Sequence, residues 1–165
     1  MTYELNDKVK NLVPYDAVSG DYKIRLDANE SFVDPGETLK EEFLSAVSAV
    51  KFNRYPDPMA SELCERFARY YGIDPKTVVA GNGSDELITV IMGAFLRPGD
   101  KVLTFSPDFS MYQFYGRLYE KTSLVSEKRE DLILTAADVL EAVRENKPTA
   151  VVFSNPCSPT SLVMS

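Results

Sequence analysis

Apolar residues recur at helical spacing along most of this chain, and short β-branched or apolar runs fall between the helical stretches. Leu39, Phe43, Leu44, Val47 and Val50 predict an amphipathic helix over residues 37–50. Arg54-Tyr55-Pro56-Asp57-Pro58 then forces an extended loop. A second helix is predicted over 59–71, with Leu63, Phe67 and Tyr70 on its buried side and Gly72 as the C-cap. Val78-Val79-Ala80 reads as a strand, and Leu87, Ile88, Ile91, Met92 and Phe95 as a helix ending near Leu96. Strands follow at 101–105, 122–125 and 149–153, separated by helices at 110–119 and 135–146, the latter capped by Thr135.

Upstream the pattern is weaker. Val9, Leu12 and Val13 suggest a short helix before Pro14, Ile24-Arg25-Leu26 a brief extended piece, and residues 27–31 a polar loop. The organisation expected is an arm over 1–36, a helical segment over 37–76 and a partial ligand-binding domain over 77–165. From Thr77 onward strands and helices alternate, which implies an α/β fold with a mostly parallel sheet and ligands at the carboxyl ends of its strands. Those ends carry Gly81-Asn82-Gly83-Ser84-Asp85, Ser106-Pro107-Asp108-Phe109 and Asn155-Pro156-Cys157-Ser158-Pro159-Thr160.

Composition narrows the chemistry. Of 165 residues 44% are hydrophobic, enough for a folded core, and 18 basic against 25 acidic residues give a net charge of -7 with no basic run. Nucleic acid and anionic membranes are therefore not expected partners. No apolar run approaches a membrane span, and Met1-Thr2-Tyr3-Glu4-Leu5 lacks the features of a signal peptide, so a cytoplasmic location is expected. The two cysteines, Cys64 and Cys157, have neither disulfide-framework nor zinc spacing. With no histidine anywhere, Ser-His and Cys-His mechanisms are excluded and no metal site is expected.

The richest stretch is Gly81-Asn82-Gly83-Ser84-Asp85-Glu86. A helix start exposes unpaired N–H groups and favours negative charge, so a phosphate suits it, with Ser84 or Asp85 as cap or donor. The same residues also suit an ordinary capped helix start. Phe109 can be a stacking platform or simply core. Together the three strand-end loops offer an anion cradle, an aromatic face and a proline-held polar loop, a combination suited to a phosphorylated, planar, aromatic ligand.

Taken in order, Arg54-Tyr55-Pro56-Asp57-Pro58, Gly81-Asn82-Gly83-Ser84-Asp85-Glu86, Pro98-Gly99-Asp100-Lys101-Val102, Pro107-Asp108-Phe109 with Met111-Tyr112, and Asn155-Pro156-Cys157-Ser158-Pro159-Thr160 resemble the motifs of fold-type I pyridoxal-phosphate aminotransferases. Within that family the histidinol-phosphate branch is most similar. The resemblance implies a three-layer α/β/α large domain, pyridoxal 5'-phosphate as cofactor, an amino-acid or phosphorylated small-molecule substrate and a homodimer. It implies cofactor-binding roles for Gly83, Ser84 and Asp85 at the phosphate, Phe109 on the ring, Ser158 at the ring hydroxyl, and Tyr55 reaching the neighbouring subunit's phosphate. Asn29 and Glu30 would lie near the substrate.

Two positions depart from the family pattern. Ser158 stands where an asparagine is usual, and Ser161 where glycine is usual, which matters if that position needs a positive φ. The family's Schiff-base lysine, in a Ser-x-Ser-Lys stretch, is not in this sequence. Lys101 and Lys121 have no such context and are expected on the surface. The resemblance therefore implies no catalytic residue within this chain and no transamination by these residues alone. A threonine-phosphate decarboxylase, an aromatic aminotransferase or a non-catalytic anion-binding or partner-binding remnant are the alternatives. A further expectation is that the last apolar strand has an unpaired edge.

Overall fold

The computed structural model describes residues 3–13, 19–26 and 29–164. Asp27 and Ala28 of the predicted polar loop lie outside them. In chain order the helices and strands are α1 (Asp7–Lys10), α2 (Pro35–Thr38), α3 (Lys40–Ala49), α4 (Ser61–Tyr71), α5 (Gly83–Val90), β1 (Lys101–Ser106), α6 (Met111–Leu118), β2 (Thr122–Glu127), α7 (Ala136–Asn146) and β3 (Ala150–Val151). A 3-10 turn spans Pro75–Thr77, and α5 runs on into a π-helical turn over Ile91–Phe95. The chain divides into two compact units, Met1–Val13 with Gly81–Ser165, and Pro14–Ala80.

In the first unit the three strands form a parallel sheet in the order β2-β1-β3, with Leu103 of β1 opposite Leu124 of β2 and Val151 of β3. Successive side chains of a strand point to opposite faces, and β1 uses both. Leu103 and Phe105 pack with Leu134 and Ala142, supported by Val139 and Val143 of α7. Val102 packs on the other face with Ile88 and Met92, supported by Tyr112 and Tyr115 of α6. A helix layer thus covers each side of β1, the α/β/α arrangement expected. Helix α6 approaches β2 closely at Gly116, where a Cβ would sit 2.8 Å from Ser123 Oγ. A side chain there would force the helix outward.

The strand at β3 is shorter than the apolar run predicts. Only Ala150 and Val151 pair with β1, although Val152 N still donates to Leu103 O at 2.9 Å. Its other side meets no strand among the described residues, so the run is half-buried rather than enclosed. Val78-Val79-Ala80 forms no strand either. Val78 is extended, at φ -110° and ψ 128°, but among the described residues no neighbouring strand supplies a ladder, and propensity without a partner makes no sheet. Ile24-Arg25-Leu26 is likewise without strand pairing.

In the second unit the helical periodicity is right and the predicted burial is not. The stretch from 37 to 50 is two helices broken at Leu39, which caps α3 at φ -122° and ψ 39°. Leu39, Phe43, Leu44, Val47 and Val50 are all exposed. In α4 the expected core side of Leu63, Phe67 and Tyr70 is exposed, whereas Cys64 and Ala68 are buried. The unit holds no sheet among the described residues on which the wide aromatic face could pack, so only small side chains are covered. Asp57, not Ala60 at the N-cap, satisfies the α4 start: its carboxylate accepts from Met59 N at 3.0 Å and Ser61 N at 2.7 Å. Gly72 is the left-handed C-cap, as its position predicts.

Helix α7 opens with a full capping box. Thr135 Oγ1 accepts from Asp138 N, and Asp138 accepts from Thr135 N at 2.8 Å. The Thr135 side chain, then its backbone, hold the Asp138 carboxyl below its usual range. A depressed carboxyl pKa stabilises the fold above the unfolded value of 3.8, and that contribution is lost as pH falls through the lower folded value. Amide exchange in the first turn of α7 is expected to accelerate as pH drops below that value, relative to the sheet, and Asp138→Asn to remove this pH dependence. An unchanged profile would exclude the carboxylate as the cap.

Candidate active site

The glycine turn leads into α5, and the helix begins at Gly83 with Asn82 as N-cap. Gly83 has φ +77°, which an L side chain adopts only at a cost, so the backbone here favours glycine. Neither Ser84 nor Asp85 caps the helix, contrary to one sequence reading. Instead Glu86 reaches back one turn and its Oε2 accepts from both Asn82 N and Asn82 Nδ2. Gly83 N donates to Gly81 O at 3.0 Å. Of the four N–H groups that a helix start leaves without intrahelical partners, Asn82 and Gly83 are thereby satisfied, and those of Ser84 and Asp85 remain.

These two donors sit at the positive end of the helix, on exposed or half-exposed residues, which is the geometry that suits a phosphate. The Asp85 carboxylate faces Tyr115 of α6. Burial first, and the Asp85 charge second, push the Tyr115 phenol above its ordinary value. Asp85 Oδ1 is buried without a hydrogen-bond partner.

Phe109 follows the carboxyl end of β1 and is half-buried. One side packs on the cluster of Ile88, Met92 and Val102, and its ring meets Tyr112 edge-on, centroids 5.5 Å apart at 83°. Phe109 thus packs against the core cluster, as the core reading expects, and keeps part of its surface exposed. The Tyr112 hydroxyl lies 3.0 Å from Ser154 Oγ, joining α6 to the end of the third strand region.

The third loop closes on itself. Cys157 N donates to Leu162 O at 2.8 Å and Ser161 N to Cys157 O at 2.7 Å. Ser158 is exposed at its tip. Ser161 has φ 61°, so the position does need a left-handed residue and a serine occupies it. Ser161→Gly is expected to raise stability by about 0.5–1 kcal/mol, the relief of a left-handed Cβ less the extra freedom of an unfolded glycine. Urea denaturation reads this directly, and a loss of stability would contradict it.

Tyr55, Asn29 and Glu30 belong to the second unit. Tyr55 is fully exposed. Asn29 is left-handed at φ 52°, and Glu30 Oε2 lies 4.0 Å from Arg25 Nη1.

Sequence reasoning missed a buried polar cluster beside these loops. Asp108, Lys128 and Cys157 come together where β1 and β2 end, although Cys157 read as an isolated thiol and Lys128 carried no signal at all. Burial alone would raise the Cys157 thiol, but the Lys128 ammonium, together with the Thr160 side chain and backbone, holds it below its ordinary value. Lys101 is exposed as expected, while Lys121 is only 8% exposed. The Lys121 ammonium donates to Leu96 O at 2.7 Å, satisfying a carbonyl left at the end of the α5 extension.

A parallel α/β sheet carries a helix start and an aromatic residue at its strand ends, and the chain belongs to the class I and II aminotransferase family, which it matches over residues 21–165. It is 41% identical over 156 residues to the histidinol-phosphate aminotransferase of Clostridium novyi, a match covering 94% of this chain and 44% of that relative. The corresponding protein of Caldanaerobacter subterraneus is 36% identical over 160 residues, covering 97% and 46%. Among solved structures, histidinol-phosphate aminotransferase from Sinorhizobium meliloti, in complex with pyridoxal-5'-phosphate, shares the fold with a TM-score of 0.71 at 23% identity, over 80% of this chain and 35% of that one. Thermotoga maritima aspartate aminotransferase gives 0.69 at 29% identity, over 86% and 40%. The chain spans less than half the length of the curated relatives it matches.

Proposed function

We propose that this chain is the cofactor-holding, amino-terminal part of a pyridoxal-phosphate aminotransferase that acts on histidinol phosphate, with glutamate and 2-oxoglutarate as the exchanging pair. The observation that carries the reading is the pair of free N–H groups on Ser84 and Asp85 after a glycine at φ +77°. Phe109 supports it by packing against the cluster that includes Ile88 of the same helix. The relatives' names supply the substrate class. In this reading residues 77–165 form part of the cofactor domain, residues 37–76 lead into it, and residues 1–36 are the arm that carries Asn29 and Glu30 toward the substrate.

Pyridoxal phosphate, when bound, supplies an electron-withdrawing ring that makes amino-group transfer feasible. The residues of this chain bind and orient it. Ser84 and Asp85 donate to the phosphate from the helix start, Gly83 lets the backbone approach, and Phe109 offers a ring face. Ser158 can give one hydrogen bond to a ring hydroxyl, with a shorter reach than asparagine. Tyr55 acts on the neighbouring subunit in a cytoplasmic homodimer. The lysine of the family's Ser-x-Ser-Lys stretch is not among residues 1–165, so these residues alone bind without transferring an amino group.

The test is titration with pyridoxal phosphate, read by calorimetry and by quenching of tyrosine fluorescence. Ser84→Pro removes one N–H and the hydroxyl from the first turn, a position that tolerates proline. Affinity is expected to fall about tenfold to a hundredfold, the worth of a hydrogen bond to a charged group, with pyridoxal lacking the phosphate unaffected. Equal binding of the phosphate form by both proteins would rule out the α5 start as the phosphate site.

A further inference from the structure

Three polar side chains are buried together at the carboxyl ends of β1 and β2. The side chains of Asp108 and Lys128 are 2% and 1% exposed, and Cys157 is 7% exposed. Asp108 Oδ1 accepts from Phe109 N at 2.7 Å. Across the chain, Ser154 N approaches the two oxygens of the same carboxylate at 3.1 and 3.3 Å. One side chain therefore ties the backbone of Phe109 to the segment that leads into the third loop.

Lys128 reinforces the tie from the other side. Its Nζ lies 4.0 Å from Asp108 Oδ2, donates to Pro107 O at 2.7 Å and stands 2.9 Å from Cys157 Sγ. Cys157 Sγ is itself 3.5 Å from Pro107 O. Ser158 is the next residue along. Two members of the cluster, Asp108 and Cys157, thus immediately precede Phe109 and Ser158 in the chain.

A buried ion pair contributes little net stability compared with an apolar replacement, so what the Asp108 carboxylate adds here is the geometry of its hydrogen bonds. Phe109 N and Ser154 N come from strand ends that run out of ladder partners, and a single carboxylate answers both. An apolar residue at 108 would leave them unpaired and let the two loops move apart. A ring held between an aromatic face and a hydroxyl tolerates only about 0.5 Å of looseness.

We infer that Asp108, supported by Lys128 and Cys157, is a positioning residue that sets the spacing between the Phe109 ring face and Ser158, and so determines how well the chain holds the pyridine ring as distinct from the phosphate. This rests on the cofactor reading above.

The experiment measures two dissociation constants on the same chain, for pyridoxal phosphate and for inorganic phosphate, in the wild type, in Asp108→Asn and in Cys157→Ala. Asp108→Asn keeps the shape, removes the charge beside Lys128 and replaces the oxygen nearer Ser154 N with an amide NH2 that cannot accept. Cys157→Ala releases the third loop while Lys128 keeps Pro107 O, which preserves the test if the first variant does not fold. Pyridoxal phosphate binding is expected to weaken about tenfold, the usual size of effect when a partner behind a ligand-holding residue is lost, with phosphate binding unchanged. Equal losses for both ligands, or no loss for either, would overturn the inference and leave the cofactor reading standing. A wild-type chain that takes phosphate but not pyridoxal phosphate would defeat the cofactor reading itself, and the positioning role with it.

Discussion

Leu103→Ala is expected to lower the unfolding free energy of the sheet-containing unit by about 2–5 kcal/mol. Leu103 is 0% exposed in the middle of the central strand, paired to β2 on one side and to β3 on the other. Its side chain packs with Phe105, Leu134 and Ala142, and the helix α7 residues around them. Truncation removes apolar area already withdrawn from water and leaves a cavity that cannot collapse, because hydrogen-bonded strands hold the walls on both sides. The upper half of the range therefore applies. Equilibrium denaturation in urea, followed by circular dichroism, measures the change. A loss below 1 kcal/mol would mean that this strand is not the centre of the core.

The second large effect is at Lys128. Lys128→Met keeps the length of the side chain and removes its charge, leaving the Asp108 carboxylate buried without a nearby cation, and the expected cost is about 3 kcal/mol. The figure lies at the low end for a broken buried pair because Asp108 retains the N–H donors of Phe109 and Ser154. Lys101→Met is the control. Lys101 is exposed, with a single 3.4 Å contact to Asn146 O, and its loss is expected to stay within about 0.5 kcal/mol. Equal effects at the two lysines would show that burial of the Lys128 ammonium contributes nothing.

The two effects differ in kind. Leu103 could be foreseen as core, since it lies in an apolar run ended by turn residues. Lys128 could not. It follows a strand with no fully buried position, and nothing in the neighbouring letters distinguishes it from a surface lysine. Lys121 was misjudged for the same reason. A carbonyl left over at Leu96 gives it a partner, and that carbonyl is 25 residues away.

Local chemistry was legible where it is local in cause. The Thr135 cap of α7, the Gly72 stop of α4, the strand at β1 and the glycine turn before α5 all follow from residues within a few positions of one another. The α/β arrangement followed too, because alternating strand and helix periods leave few topologies. So did the family, since its motifs depend on order and spacing along the chain.

Tertiary structure decided what depends on partners. Val78-Val79-Ala80 has strand propensity but no neighbour, so it is not a strand. The apolar faces of α3 and α4 have helical period but nothing among the described residues of their unit covers them, so Phe43, Leu63 and Phe67 are exposed while Cys64 and Ala68 are buried. Ser161 needed its backbone angle before its cost could be known. Asp108, Lys128 and Cys157, spread over 50 residues, became one cluster only when the sheet brought three strand ends together. Periodicity and turn chemistry are written in consecutive residues, whereas burial and charge pairing belong to whatever the fold places alongside.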